Sequence, residues 1–167
     1  ASMHFFYEWD GLARMFEMSL VDNVYQSDSG EDVFDRAVES FFADKPEFLF
    51  IGIDEPDAAG HKFGHDTEEY YASISKYDQK IGDFIARLKT EGLMDETFIM
   101  VTGDHGGIDF GHGGTTLHEL EIPIICYGKG VTEGKIISKP CYIYDVAPTL
   151  AWAMGLDAAA AGIGRVM

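Results

Sequence analysis

Phe48-Leu49-Phe50-Ile51-Gly52-Ile53 is an unbroken apolar run, followed at once by Asp54-Glu55-Pro56-Asp57. A run without polar alternation predicts a strand buried on both faces, as in a parallel sheet covered by helices. The acids then stand at the strand's C-terminal end, where open α/β sheets bind their ligands. Helical spacing flanks the run. Upstream, Val33, Phe34, Val38, Phe41 and Phe42 share one side of a helix predicted over 31–43. The turn signal Ser27-Asp28-Ser29-Gly30 opens it, and Pro46 lies just beyond its end. Downstream, Tyr70, Tyr71, Ile74, Tyr77, Ile81, Phe84, Ile85 and Leu88 keep a helical period to about residue 89. Asp66 or Thr67 is expected to cap that helix, with Glu69 closing a capping box and Gly92 terminating it. Its aromatic stripe is expected to face a core.

The remaining segments fill in the pattern. Short strands are expected over 4–7 and 21–25, and Trp9, Leu12, Ala13 and Phe16 have helical spacing over 9–18. Thr97-Phe98-Ile99-Met100-Val101-Thr102 is a β-rich run leading to Asp104-His105-Gly106-Gly107. Residues 106–119 are glycine-rich and aperiodic, so a functional loop is expected there. A buried strand is expected over 122–127, with Pro123 marking an edge or a start. A short strand over 135–137 and a helix over 144–154, with Pro148 in its first turn, complete the chain before the low-complexity Ala158-Ala159-Ala160-Ala161. This order predicts an α/β fold, a three-layer αβα sandwich with a mostly parallel sheet, as a single domain over 1–167.

With 167 residues, 46% of them hydrophobic, the chain can bury a real core. No apolar run approaches the ~20 residues of a membrane-spanning helix. The start Ala1-Ser2-Met3 reads as an expression scar or an internal cut, so the lack of a visible leader leaves the compartment open. A net charge of −17 argues against general nucleic-acid-backbone binding, which needs a basic surface. It permits a phosphate-bearing substrate if divalent cations reverse the local field. Cys126, in an apolar run, reads as a buried free thiol, and two cysteines do not fix the redox compartment.

Five of the six histidines lie between positions 61 and 118, interleaved with acids and glycines, which points to metal binding. Asp57 and His61 are four apart, a spacing that puts both on one face of a helical turn. His112, between Gly111 and Gly113, is the best third ligand, giving a three-residue site with an open position. Asp104 and His105 would serve a second ion, and a pair of ions ~4 Å apart suits displacement at phosphorus. His65 and His118 are expected beside the ligands or at the surface rather than on a metal.

Glu55-Pro56-Asp57-x-x-Gly60-His61-x-x-Gly64, Thr102-Gly103-Asp104-His105-Gly106 and Gly111-His112-Gly113-Gly114, with Glu119 and Ile122-Pro123 following, resemble the alkaline phosphatase superfamily. The branch they resemble is the type I phosphodiesterase / nucleotide pyrophosphatase group. Asp145-Val146-Ala147-Pro148-Thr149-Leu150 is similar to the helix that follows the last metal ligand there, and Gly164-Arg165-Val166 to the closing motif. The resemblance covers about residues 46–166. It implies an incomplete alkaline-phosphatase-like domain, its C-terminal part.

By that resemblance two Zn²⁺ are implied, with Mn²⁺ also suited to mixed His and carboxylate ligands. Asp57, His61 and His112 would hold one, and Asp104 and His105 would help hold the other. The family's nucleophile and early aspartate have no counterpart here; Thr102, Thr115 and Thr116 are hydroxyls outside the nucleophile's position. His65 stands where many members have proline. The implied function is hydrolysis of phosphate esters, with a small-molecule substrate, in a periplasmic or other extracytoplasmic setting. The chain alone is expected to be inactive and to self-associate through exposed sheet edges. A non-catalytic metal-binding module or pseudoenzyme, and a phosphomutase or sulfatase branch, are the alternatives.

Overall fold

The computed structural model describes residues 1–157 and 162–167; the Ala158 to Ala161 run lies outside them. The chain is mixed α/β and packs as two compact units: Ala1–Phe84 with Gly107–Gly111, and Ile85–Gly106 with His112–Met167.

The first unit is built on a parallel three-stranded sheet. Strands β1 (Met3–Tyr7), β2 (Asn23–Gln26) and β3 (Phe48–Gly52) stand in the order β2-β1-β3, with Phe5 opposite Val24 and Phe50. The strand buried on both faces is β1, where Phe5, Phe6 and Tyr7 are all buried. The uniformly apolar β3 is only half-buried, contrary to its sequence pattern, because it is the sheet's outer strand. Successive side chains point to opposite faces. Phe6 therefore meets Val33 and Ala37 of helix α1 (Gly30–Asp44), joined by Leu49, Ile51 and Ile53. Phe5 turns the other way, onto Phe48, Phe50 and Phe16.

Phe16 also explains why residues 9–18 do not form the expected helix. Only a 3-10 turn, Asp10–Arg14, forms, with no side-chain cap at Trp9. Releasing the chain after it lets Phe16 lie edge-on against Phe5, 4.8 Å between ring centroids. The cap of α1 is Ser29, whose hydroxyl accepts from Asp32 N–H, and its stop is Lys45 in the left-handed region.

Helix α2 (Asp57–Phe63) follows β3, and helix α3 (Glu68–Thr90) follows after a tight turn. Of the two expected caps it is Thr67 that serves: its Oγ1 accepts from Tyr70 N–H and donates to Gly64 O. In the first unit α3 runs beside α1, with Lys76 on Glu31, Lys80 Nζ 2.6 Å from Asp35 Oδ1, and Phe84 against Phe41 and Phe42. The expected aromatic core stripe is only partly realised. Tyr71 and Ile74 are exposed, whereas Tyr77 is half-buried and its hydroxyl pKa pushed up by burial and by Glu8.

In the second unit α3 ends as the sequence predicts. Leu93 N–H donates to Leu88 O and Gly92 N–H to Lys89 O, with Gly92 at φ +71. That pairing is a Schellman motif. Strand β4 (Phe98–Thr102) pairs antiparallel with β5 (Ile124–Gly128), which starts one residue after Pro123. Ile125 and Tyr127 are exposed on β5, so it alternates rather than being buried throughout. The expected strand at 135–137 is absent among the described residues: Ile136 is exposed and no neighbour pairs with the segment. Helix α4 (Leu117–Leu120) closes the glycine-rich loop, and helix α5 (Val146–Ala153) follows a 3-10 turn at Ile143–Asp145.

Asp145 anchors the C-terminal stretch. Its buried carboxylate accepts from Arg165 N–H (2.9 Å) and Tyr142 N–H (3.0 Å), with Arg165 Nε at 3.9 Å. The Arg165 amide, foremost, holds the carboxyl below the usual carboxylate range, followed by Tyr142 N–H and the guanidinium. A lowered folded-state pKa gives stability that is present above the unfolded value of about 4 and lost as pH falls through the folded one. We therefore expect acid to unfold this unit in part through Asp145, and Asp145→Asn to flatten the acid limb of a stability-against-pH curve followed by urea denaturation. Leu88 is fully buried, so Leu88→Ala should cost about 2–5 kcal/mol in the same assay.

Candidate metal centre

Asp57 is the first residue of α2, with His61 one turn later on the same face. Asp57 is not the helix cap. That work falls to Glu55, whose carboxylate accepts from Ala59 N–H at 3.1 Å. The Asp57 carboxylate is left facing imidazoles: His61 Nε2 lies 3.3 Å from Oδ2 and His65 Nε2 lies 3.8 Å from Oδ1.

Both rings are oriented by the turn at 108–111, closed by reciprocal Ile108–Gly111 hydrogen bonds. His61 Nδ1 lies 2.9 Å from Phe110 O, and His65 Nδ1 lies 3.1 Å from Asp109 O. A carbonyl can only accept, so Nδ1 carries a proton in each ring, and the neutral form of either ring presents its lone pair at Nε2. Asp109 O also accepts from His65 N–H, and Asp109 itself takes φ +51.

His65 is more than the surface residue the sequence allows. Its side chain is 6% exposed, and its ring lies against Tyr70 at 5.2 Å between centroids. It fills a slot between two glycines. A Cβ on Gly60 would stand 2.5 Å from His65 Cε1, and one on Gly107 would overlap Nε2. Gly60 thus makes room for the His65 ring.

This region is acidic. Burial, then Glu8, then Asp57 push the Asp54 carboxyl above its ordinary range. Burial and Asp57 raise the Tyr70 hydroxyl as well. A carboxylate faced by two imidazole nitrogens amid further carboxylates is an electronegative set rich in potential ligand atoms. Such a set fits a cation, and one carboxylate with imidazoles bonded to backbone carbonyls is a chemistry suited to zinc.

In the second unit, Asp104 and His105 follow β4. His105 Nδ1 lies 2.9 Å from Gly106 O, and Nε2 lies 3.7 Å from Asp104 Oδ2. The ring of His112 stacks on that of His105, centroids 3.8 Å apart and planes at 20°. His118 is exposed on α4. Two of the available hydroxyls are already donating, Thr102 to Gly103 O and Thr116 to Glu119 Oε2. Glu119, singled out before only as part of a motif, is buried beneath the loop. The Thr116-x-x-Glu119 capping-box spacing was the signal for it.

The tautomers are directly testable. Long-range ¹H–¹⁵N spectra of the neutral rings should show the proton on Nδ1 of His61 and His65, the less common form. The Nε2–H form at either residue would remove the turn's role.

The family model described as type I phosphodiesterase / nucleotide pyrophosphatase matches residues 7–120. Human bis(5'-adenosyl)-triphosphatase is 44% identical over 60 residues, 35% of this chain and 13% of that protein. Lipoteichoic acid synthase 2 of Bacillus subtilis is 30% identical over 124 residues, 64% of this chain and 19% of that protein. Among solved structures, murine ectonucleotide pyrophosphatase / phosphodiesterase 5, an inactive variant in complex with AMP, aligns with TM-score 0.50 and 31% identity. That alignment covers 63% of this chain and 29% of the murine one. The chain thus spans less than a third of the length of each of these relatives. With the matched model running through both α2 and the Asp104-His105 loop, the chain belongs to the type I phosphodiesterase / nucleotide pyrophosphatase family.

Proposed function

We propose that this chain is the C-terminal part of the catalytic domain of a metal-dependent hydrolase of phosphate esters, of the phosphodiesterase / nucleotide pyrophosphatase type. The observation that carries the reading is the Asp57 carboxylate faced by the Nε2 atoms of His61 and His65. Family membership supplies the reaction class. Asp57, His61 and His112 would hold one zinc, and Asp104 and His105 would contribute to a second. When bound, the ions would supply Lewis-acid stabilisation of charge on the phosphoryl oxygens.

The chain's own residues then have separable tasks. Asp57 supplies the anionic oxygen, and Phe110 O fixes the His61 ring with its lone pair toward that carboxylate. Gly106 O does the same for His105. The nucleophile and the remaining ligands would come from other parts of the parent protein, making this chain inactive or nearly so alone. The substrate is a small phosphate ester. AMP in the murine relative's structure makes a nucleotide the first to try. An extracytoplasmic setting and self-association through the edges of the three-stranded sheet belong to the same proposal; no described helix is long and apolar enough to cross a membrane.

The test is zinc binding by calorimetry and elemental analysis on the chain, with diesterase turnover on the full-length parent. Asp57→Ala and His112→Ala should each lower zinc affinity and turnover together. Normal turnover in both variants rejects the assignment.

A further inference from the structure

Glu119 is joined to both histidine-bearing segments of the second unit. Its backbone carbonyl accepts from Gly106 N–H at 2.9 Å, directly after Asp104-His105. Its carboxylate accepts from Gly114 N–H at 2.7 Å, two residues after His112, and from Thr116 N–H (3.3 Å) and Thr116 Oγ1 (2.7 Å). The carboxylate is buried, and the Thr116 hydroxyl and Gly114 amide hold its pKa below the ordinary range. The fit is close on both sides. A Cβ on Gly114 would come within 2.5 Å of Glu119 Oε2, and one on Gly106 would overlap His118 O. Between the two anchored segments the rings of His105 and His112 stack at 3.8 Å.

We propose that Glu119 is a positioning residue for the metal centre: a single residue whose main chain fixes the His105 segment and whose carboxylate fixes the His112 segment, setting the distance between the two rings. This deepens the zinc reading above and rests on it for its functional meaning. The Glu119 carboxylate is engaged by Gly114 and Thr116, so it acts through the His112 segment. A helix cap alone would not require a carboxylate, because glutamine also closes a capping box. Holding Gly114 N–H through one oxygen and Thr116 through the other needs two acceptor oxygens, which only the carboxylate has.

The difference makes Glu119→Gln the decisive variant. In the full 167-residue chain we expect α4 and the thermal unfolding to stay close to the parent. The His112 and His105 imidazole signals should move in metal-free ¹H–¹⁵N spectra as the stack opens. Zinc affinity, titrated with zinc itself, should fall about 10–100-fold, as for other partners that orient metal ligands. If Glu119→Gln does not fold, Gly114→Ala displaces the same carboxylate and should shift the same signals. Unchanged imidazole signals in the folded variant overturn the proposal, whatever zinc does. If the parent chain binds no zinc, the zinc reading fails by itself, and the metal-free spectra still decide the role of Glu119.

Discussion

Two backbone carbonyls, those of Asp109 and Phe110, decide which nitrogen two histidines can offer. The orientation of both rings beside Asp57 depends on this pair. A free imidazole in water prefers its proton on Nε2, which would point an N–H at Asp57 and satisfy the carboxylate locally. By accepting from Nδ1–H, the carbonyls reverse that choice, so that the neutral form of His61 or His65 turns its Nε2 lone pair toward the carboxylate. The cost of gathering acceptors is met by the surrounding fold: a closed four-residue turn, a helix start fixed by Glu55, and a packed sheet beneath.

The overall charge belongs to the same design. Asp54, Glu55 and Asp57 lie within five residues of the end of β3, and the Glu8 carboxylate, just beyond β1, accepts from Asp54 N–H. Carboxylates this close repel one another, and burial foremost, then Glu8 and Asp57, raise the Asp54 carboxyl. A divalent cation would relieve it and reverse the sign of the field that an incoming phosphate meets.

Much of this was legible in the sequence, and the exceptions have causes. Ser29, Gly92 and Pro123 are local signals, read from a few residues, and each marks its boundary correctly. Partnership is not local. The apolar run of β3 looked central but has one neighbour strand, whereas the less conspicuous β1 has two. Residues 135–137 have strand-like composition and no partner strand. Leu12 and Phe16 are helically spaced, yet Phe16 packs better onto Phe5 and Phe50 from an irregular segment. At the site, motif spacing named Asp57 and His61, and the helix places them together. It undervalued His65, whose environment comes from Gly107, distant in sequence.

That environment has an evolutionary consequence. The His65 ring occupies the volume that a methyl group on Gly60 or Gly107 would need. A side chain at either glycine would force that ring to move, so a substitution at any of the three positions is felt at the other two. The three positions form an epistatic unit.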